Sequence, residues 1–507
     1  MIRLSVAEIA AYTGGTVTGG PVSGGPVSGG PGAADVTGPV VIDSRQAVPG
    51  ALFAALPGEH VDGHDYAAAA VARGASAILA ARPLPAVAAP VIVVADVTLA
   101  LGALARAVLG LLPGVTVVGI TGSSGKTSTK DLTAQVVERL GPTVAPEGSL
   151  NNEIGLPLTV LRADSSTRYL ILEMSARGIG HIAYLAGIAP PKISVVLNVG
   201  RAHAGEFGSV DAVAKAKGEI VEALPPAAAG GVAVLNADDP NVAAMAARTG
   251  ARTVFTSTGF TSTGFTGTGS TSTGPAGPET ASVPPGRAAD FTAGGVTLDD
   301  LGRASFTLRT PAGSAPVSLT LHGAHHVANA LAAAAVAAEL GMDTRAIADA
   351  LTAATVRSGK RMELTRRPDG VLVVNDAYNA NPDSTRAAIE ALAHLAQQGT
   401  GRRGIAVLGY MAELGDIAAE SHEEAGRRAA QAGAAVVIAV GAEAAPILDG
   451  ARSVGGWPGE AVAAADPKAA VAALRNRLRP GDVVLVKASK AAGLWEVADG
   501  LLAEDDQ

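Results

Sequence analysis

The stretch VTVVGITGSSGKTSTKDLTAQVVERL, residues 115–140, decides the fold. VTVVGI is a short apolar run rich in β-branched residues, which reads as a buried strand. The turn Thr121-Gly122-Ser123-Ser124-Gly125-Lys126-Thr127 follows, and STKDLTAQVVERL reads as a helix. A strand, a glycine-rich turn and a helix N-terminus aim several backbone N–H groups at one point, which is what holding a phosphate requires. Lys126 is placed to meet the outer phosphates of a nucleotide, and the Thr127 hydroxyl to reach Mg²⁺. The generic pattern has a glycine five positions before Gly125, where this chain has Ile120. Gly122 instead gives a shortened G-x-x-G-K-T loop.

Working outward, YLILE (169–173), ISVVLNV (193–199) and VAVLN (232–236) read as further buried strands separated by helical patterns, the signature of parallel-sheet units. Glu173 closes one strand, where a carboxylate can hold Mg²⁺ directly or through water. His203 follows the next, although a lone histidine is more often structural. Lys215 and Lys217 share the helical stretch AVAKAKGEIVEAL, and spacing alone does not choose between them. Asp238 and Asp239 read as caps of a helix with Pro240 at its first position.

From Phe291 to Gly323 the pattern alternates, as in an antiparallel section, and an alanine-rich helix follows. Beyond Arg361, VLVVND, IAVLG, VVIAVG and DVVLVKAS form a second series of strands between helices. The first ~110 residues hold a smaller mixed unit with VVIDS, APVIVVAD and the helix AAAAVARGA. Gly19 to Ala34 and Phe255 to Pro285 carry PVSGG-like and TSTGF-like repeats, which bury too little apolar surface to order themselves.

The chain has 507 residues, enough for about three domains. Hydrophobic residues make up 48% and charged residues 17%, but much of the apolar count is alanine, and the most apolar helical stretch, Val327 to Leu340, is too short and too polar to cross a bilayer. No secretory signal pattern opens the chain, so a cytoplasmic protein is expected. Cysteine is absent, which excludes disulfides, thiolate nucleophiles and thiolate metal sites; any metal must sit on oxygen or imidazole. A net charge of −8 argues against general nucleic-acid binding.

Together these residues resemble the Mur ligase family over almost the whole chain. The resemblance is carried by VIDSRQAVPGALFAALPGEHVDGHDY, TGSSGKTSTK, SLNNEIGLPLTVL, EMSARGIGHI, NVGRAHAGEFGSVDAVAKAKGEI, VLNADDP, HGAHHVANALAAAA, NDAYNANPDSTRAAI and VLVKASKAAGLWEV, in that order. The shortened phosphate loop is what this family looks like. The resemblance implies an α/β protein of three domains: a small mixed N-terminal domain at 1–112 that binds the UDP-linked substrate, a central P-loop ATPase-like domain with a mostly parallel sheet at 113–357, and a Rossmann-like C-terminal domain at 358–507. It implies that Lys126 and Thr127 bind ATP and Mg²⁺, with two ions in all, that Glu173 and His203 are metal ligands, and that Lys217 is carbamylated. A carbamate turns a cation into an anion able to hold or position a second Mg²⁺. Asn329, Arg361 and Asp376 are implied as adenosine-side contacts. Asp43, Ser44 and Arg45 are implied for the uridine nucleotide, Asn151 and Asn152 for a substrate-side loop, and Asn379, Asn381 and Asp383 for the acceptor-facing loop. Tyr410, Ser175, Ala204 and Lys490 depart from the family pattern and affect acceptor contacts rather than the phosphate site.

The implied reaction joins D-alanyl-D-alanine to UDP-N-acetylmuramoyl tripeptide through an acyl phosphate, with release of ADP and phosphate, by a monomer of peptidoglycan precursor synthesis. The ligase adding the third amino acid is the nearest alternative, but the chain has NANPDS and lacks the D-N-P-R motif that resembles diaminopimelate selection. Folylpolyglutamate synthase is a weaker one, since the DSR-containing first domain is unexpected there. A nucleotide-dependent switch would also carry a phosphate loop and magnesium ligands; its phosphate release would respond to a protein partner rather than to two small substrates.

Overall fold

The computed structural model describes residues 1–19, 35–58, 61–200, 207–259, 288–397 and 401–503. The chain divides into two compact units, the first made of Met1–Gly119, Leu140–Ser175 and His181–Ile193, the second of Ile120–Arg139, Ala176–Gly180 and Ser194–Gln507.

In the first unit a five-stranded sheet has the order Thr16–Thr18, Val91–Val93, Ala77–Ala80, Leu52–Ala54, Val40–Val41. All its pairings are parallel except that of the edge strand Thr16–Thr18. Phe53, Ile78 and Val91 bury one face among alanines of the helix Ala67–Ala72, which is shorter than the pattern suggested. The strand Tyr169–Glu173 pairs in parallel with Thr143–Val144.

In the second unit, Val232–Asn236 pairs in parallel with Arg252–Ser257, which pairs in parallel with Phe291–Leu298. The antiparallel strands Arg303–Thr310 and Gly313–His322 extend the same sheet. The alternation expected from Phe291 onward is therefore present, but as the edge of the parallel sheet. Phe255, expected in the low-complexity stretch, instead pairs opposite Leu235 and is buried. Its backbone continues a β-strand whose aromatic side chain has a core to fill, so the segment without a strand pattern starts later. The rest of that stretch from 260 on, and nearly all of Gly19 to Ala34, lie outside the described residues.

The second unit also holds a six-stranded sheet ordered Glu363–Arg366, Leu372–Asp376, Val483–Lys487, Gly404–Gly409, Val436–Val440, Glu460–Ala464. It is parallel apart from the edge pair formed by Glu363–Arg366. Both faces are covered, one by a cluster with Leu372, Leu392 and Leu485, the other by one with Val373, Val484 and Leu494, which explains the uninterrupted apolar runs. Among the described residues no helix is long and apolar enough to cross a membrane.

Candidate active site

The strand Thr116–Thr121 runs into the glycine-rich turn, and the helix Lys126–Val137 begins directly after Gly125. Gly125 adopts φ +79°, and a Cβ there would stand 2.8 Å from Asn329 Oδ1. A Cβ on Gly122 would stand 2.9 Å from Leu197 Cβ. Both glycines are thus required by close approach of the turn to its neighbours. Lys126 Nζ donates to the Gly122 carbonyl at 2.8 Å, and Thr127 is buried on the first turn.

Side chains from distant segments hold the turn. The Ser123 N–H donates to the Asn198 carbonyl (3.0 Å), the Ser124 N–H donates to Asn198 Oδ1 (2.9 Å), and Asn198 Nδ2 donates to the Ser124 carbonyl (3.2 Å). The Gly200 N–H donates to Ser123 Oγ at 2.8 Å, and Asn381 Nδ2 donates to the Ser123 carbonyl at 3.4 Å. Asn198 is absent from the sequence candidates. Its signal was a polar residue at the end of an apolar run, read as strand; the strand stops at Val196, and Leu197 to Val199 form the loop beyond it. Asp239 caps the helix at Pro240 as expected, but its Oδ2 also accepts from the Val199 N–H at 2.7 Å, so it supports this loop. Asp238 is not a cap: its carboxylate binds Ser257 and Thr258, which reach it from the neighbouring strand's end.

The helix Val210–Glu222 separates the two lysines of KAKGE: Lys215 is exposed and Lys217 is 3% exposed. Burial holds the Lys217 amine well below the usual lysine range, and the Lys126 ammonium lowers it further. Among the described residues Lys217 has no hydrogen-bonding or ion-pair partner to offset that burial. His203 lies outside the described residues.

In the first unit, Glu173 is buried at the end of its strand, and Asn151 Nδ2 donates to its Oε1 at 2.7 Å. Asn152 accepts from the Gly155 N–H through Oδ1 at 2.9 Å and so supports the start of the helix Gly155–Val160. The Ser175 N–H donates to the Asn151 carbonyl at 3.1 Å. In the Asp43-Ser44-Arg45 stretch, Ser44 is buried, while the Arg45 guanidinium folds onto the Asp43 carboxylate at 2.7 Å. That contact and the Arg45 N–H pull the Asp43 pKa down to about 2.

Asn329 is buried under Gly125, with Nδ2 donating to His326 Nδ1 at 3.3 Å. Burial, with help from His325 and His322, pushes His326 well below the usual histidine range, so its ring is neutral and can accept. Arg361 lies over the Tyr378 ring at 4.3 Å, its buried Nε without a hydrogen-bond partner among the described residues. Asp376 accepts from the Met362 N–H at 3.1 Å and pairs with Lys487 Nζ at 2.5 Å. Lys487 is buried and also donates to the Asn379 carbonyl at 3.0 Å. Sequence reasoning passed over it because its partners are about 110 residues away.

The stretch Asn379 to Asp383 meets the glycine-rich turn through Asn381, which also accepts from the Ser384 N–H at 2.9 Å and so starts the helix Pro382–Gln397. A Cβ on Gly200 would collide with the Asp383 carboxylate. Asn379 is exposed, its Oδ1 accepting from the Ala380 N–H at 3.0 Å. Tyr410 packs half-buried on the C-terminal core, Lys490 is exposed, and Ala204 lies outside the described residues.

The model of the Mur ligase family catalytic domain matches residues 39–108, that of the Mur ligase middle domain 120–337, and that of the Mur ligase glutamate ligase domain 360–490. The chain is 48% identical to the UDP-N-acetylmuramoyl-tripeptide–D-alanyl-D-alanine ligase of Mycobacterium tuberculosis, over 100% of this chain and 99% of that one. It is 36% identical to the Escherichia coli ligase of the same name, over 92% and 94% of the two chains. A crystal structure of MurF from Acinetobacter baumannii superposes with a TM-score of 0.80 at 28% identity, covering 99% of both chains. MurF from Thermotoga maritima in complex with ADP gives 0.75 at 29% identity, covering 93% of this chain and 98% of that one. With its phosphate turn, its sheets and its full length all accounted for in this way, the chain belongs to the Mur ligase family and has that family's three-domain α/β architecture.

Proposed function

We propose that this chain is the ATP-dependent ligase that joins D-alanyl-D-alanine to UDP-N-acetylmuramoyl tripeptide in peptidoglycan precursor synthesis. The observation that supports the reading is the Asn381–Ser123 hydrogen bond together with Asp383 against Gly200, by which the stretch proposed to face the acceptor lies against the glycine-rich turn. A ligase needs that junction, because the phosphorylated carboxylate must meet its amine before water does. A nucleotide switch has no use for it. The domains run 1–112, 113–357 and 358–507, and the enzyme works as a cytoplasmic monomer.

The turn suits ATP, since Gly122 and Gly125 let its backbone pack closely on Leu197 and Asn329 at the start of a helix, and Lys126 supplies the charge for the outer phosphates. Asn329, Arg361 and Asp376 take the adenosine side. For Mg²⁺ the donor set is Thr127, Glu173, His203 and carbamylated Lys217, all hard oxygen or imidazole ligands. Bound magnesium would neutralise charge on the transferring phosphoryl group. The tripeptide carboxylate attacks the γ-phosphorus, ADP leaves, and Lys126 with the turn's N–H groups stabilises the charge spread over the phosphoryl oxygens. The dipeptide amine then attacks the acyl carbon, an amide forms, and phosphate departs. Asn379, Asn381 and Asp383 orient that amine; Asp43, Ser44 and Arg45 receive the uridine nucleotide, and Asn151 and Asn152 line the tripeptide side.

The lowered basicity of the buried Lys217 amine supports its carbamylation. Only the free amine attacks carbon dioxide: an N–C bond forms, a proton leaves, and the product is an anionic carbamate. Burial favours the free amine beforehand, and the Lys126 ammonium would offset the cost of burying the anion afterwards. The test of the whole reading is ADP formation with ATP, Mg²⁺ and each substrate alone or together. Formation that requires tripeptide and D-alanyl-D-alanine together supports the ligase; equal rates without either one refute it.

A further inference from the structure

The helix Val210–Glu222 carries Lys217 inward, but what fixes its rotation is on its outer side. Arg248 ends the short helix Ala244–Arg248, and its guanidinium lies across the Lys217 helix at Gly218. Nη1 donates to the Ala214 carbonyl at 2.9 Å and Nη2 to the Lys215 carbonyl at 2.8 Å. Nε donates to Glu222 Oε1 at 2.9 Å. One planar group thus ties the turn before Lys217 to the turn after it. A Cβ at Gly218 would fall inside the guanidinium, so the glycine of KAKGE is there to admit the arginine. On the next position, buried Glu219 accepts from the Gly180 N–H at 2.6 Å, a second restraint on the same turn.

We propose that Arg248, seated through Gly218, is a positioning residue for Lys217, and sets where the end of its four-carbon arm stands relative to the phosphate turn. This rests on the reading of Lys217 as a carbamate. Successive helix positions are about 100° apart, so the guanidinium beside Gly218 meets the helix backbone on a different face from the Lys217 side chain. Its effect is therefore on the axis and rotation of the helix rather than by contact. A long side chain amplifies a small helix rotation, and a misplaced arm costs the reaction geometry without unfolding the domain. Lysine cannot replace arginine here, because a single ammonium on a flexible stem does not present a rigid fork to three acceptors.

The test uses the full-length protein and two readouts, the carbon-13 carbamate signal of Lys217 in labelled bicarbonate and steady-state ligation. R248A and R248K are expected to retain the wild-type melting temperature within a few degrees. Both should need several-fold more bicarbonate to reach half carbamylation and lose roughly tenfold in kcat, with the KM for ATP changed less than twofold. G218A should behave like R248A, because it evicts the same guanidinium. If R248A fails to fold, R248K, which keeps the charge and most of the volume, decides the matter alone. Wild-type carbamylation and kcat in R248K would overturn the proposal while leaving the Lys217 carbamate standing. A wild-type protein with no carbamate signal, or a fully active K217A, would overturn the Lys217 reading and this inference with it.

Discussion

The glycine-rich turn with Lys126 and the Asp43-Ser44-Arg45 stretch both carry charged side chains, yet they are built in opposite ways. The turn is held by residues far away in sequence: Asn198 beyond the end of the strand Ile193–Val196 and Asn381 before the helix Pro382–Gln397 bond to it, and Asn329 of the alanine-rich helix packs under Gly125. In the other stretch the partners are neighbours, Arg45 lying on Asp43 with most of its guanidinium in water. A charge in a dry, preorganised setting acts strongly on a developing transition state, whereas an exposed ion pair is weak and screened. Under the proposed function, the difference separates groups that carry the chemistry from groups that recognise a substrate and can adapt to it.

The sharpest way to break this comparison is at its centre. Lys126→Ala should lower kcat by about a thousandfold or more, since it removes the charge aimed at the transferring phosphoryl group, and rapid-quench ligation assays would measure it. Lys217→Ala should abolish turnover, with partial rescue by formate, while Lys215→Ala on the exposed face keeps wild-type rates; a fully active Lys217→Ala enzyme would contradict the account. Asn198→Ala leaves the turn's amides without their lock, and at about 1 to 3 kcal/mol for unsatisfied groups kcat/KM for ATP should fall roughly ten- to a hundredfold. Arg45→Ala should cost much less, a few-fold rise in KM for the UDP-linked substrate with kcat unchanged, readable from initial rates at saturating ATP. Smallest of all, replacing residues 260–287 by a short Gly/Ser linker should leave melting temperature and turnover within about twofold, because long surface insertions cost little closure entropy. A tenfold loss of turnover in a folded variant would give that segment a role.

What the sequence revealed was the part of the molecule that is local. Strand VTVVGI, the turn and the helix after it are contiguous, so their chemistry could be read from spacing, and the uninterrupted apolar runs of the C-terminal sheet follow from its two covered faces. The choice of Lys217 over Lys215 could not come from spacing, because both are lysines on one helix; it came from the family resemblance, and burial supplies the physical reason. Asn198, Lys487 and Arg248 stayed hidden because each acts on a segment distant in the chain and none has a local pattern of its own. The low-complexity stretch was begun too early, at Phe255, because FTSTGF reads like the repeats that follow, while its pairing with Leu235 depends on a strand twenty residues upstream.

The central claim is that ATP activates the tripeptide's carboxylate as an acyl phosphate at the Lys126 turn. It is tested most directly with UDP-N-acetylmuramoyl tripeptide carrying oxygen-18 in its terminal carboxylate, ligated to D-alanyl-D-alanine with unlabelled ATP in unlabelled water. Carboxylate attack on the γ-phosphorus carries one labelled oxygen into each phosphate released, and the account predicts that mass spectrometry of the phosphate finds it there. Phosphate that contains no label, formed at the same rate as the new amide bond, would contradict it.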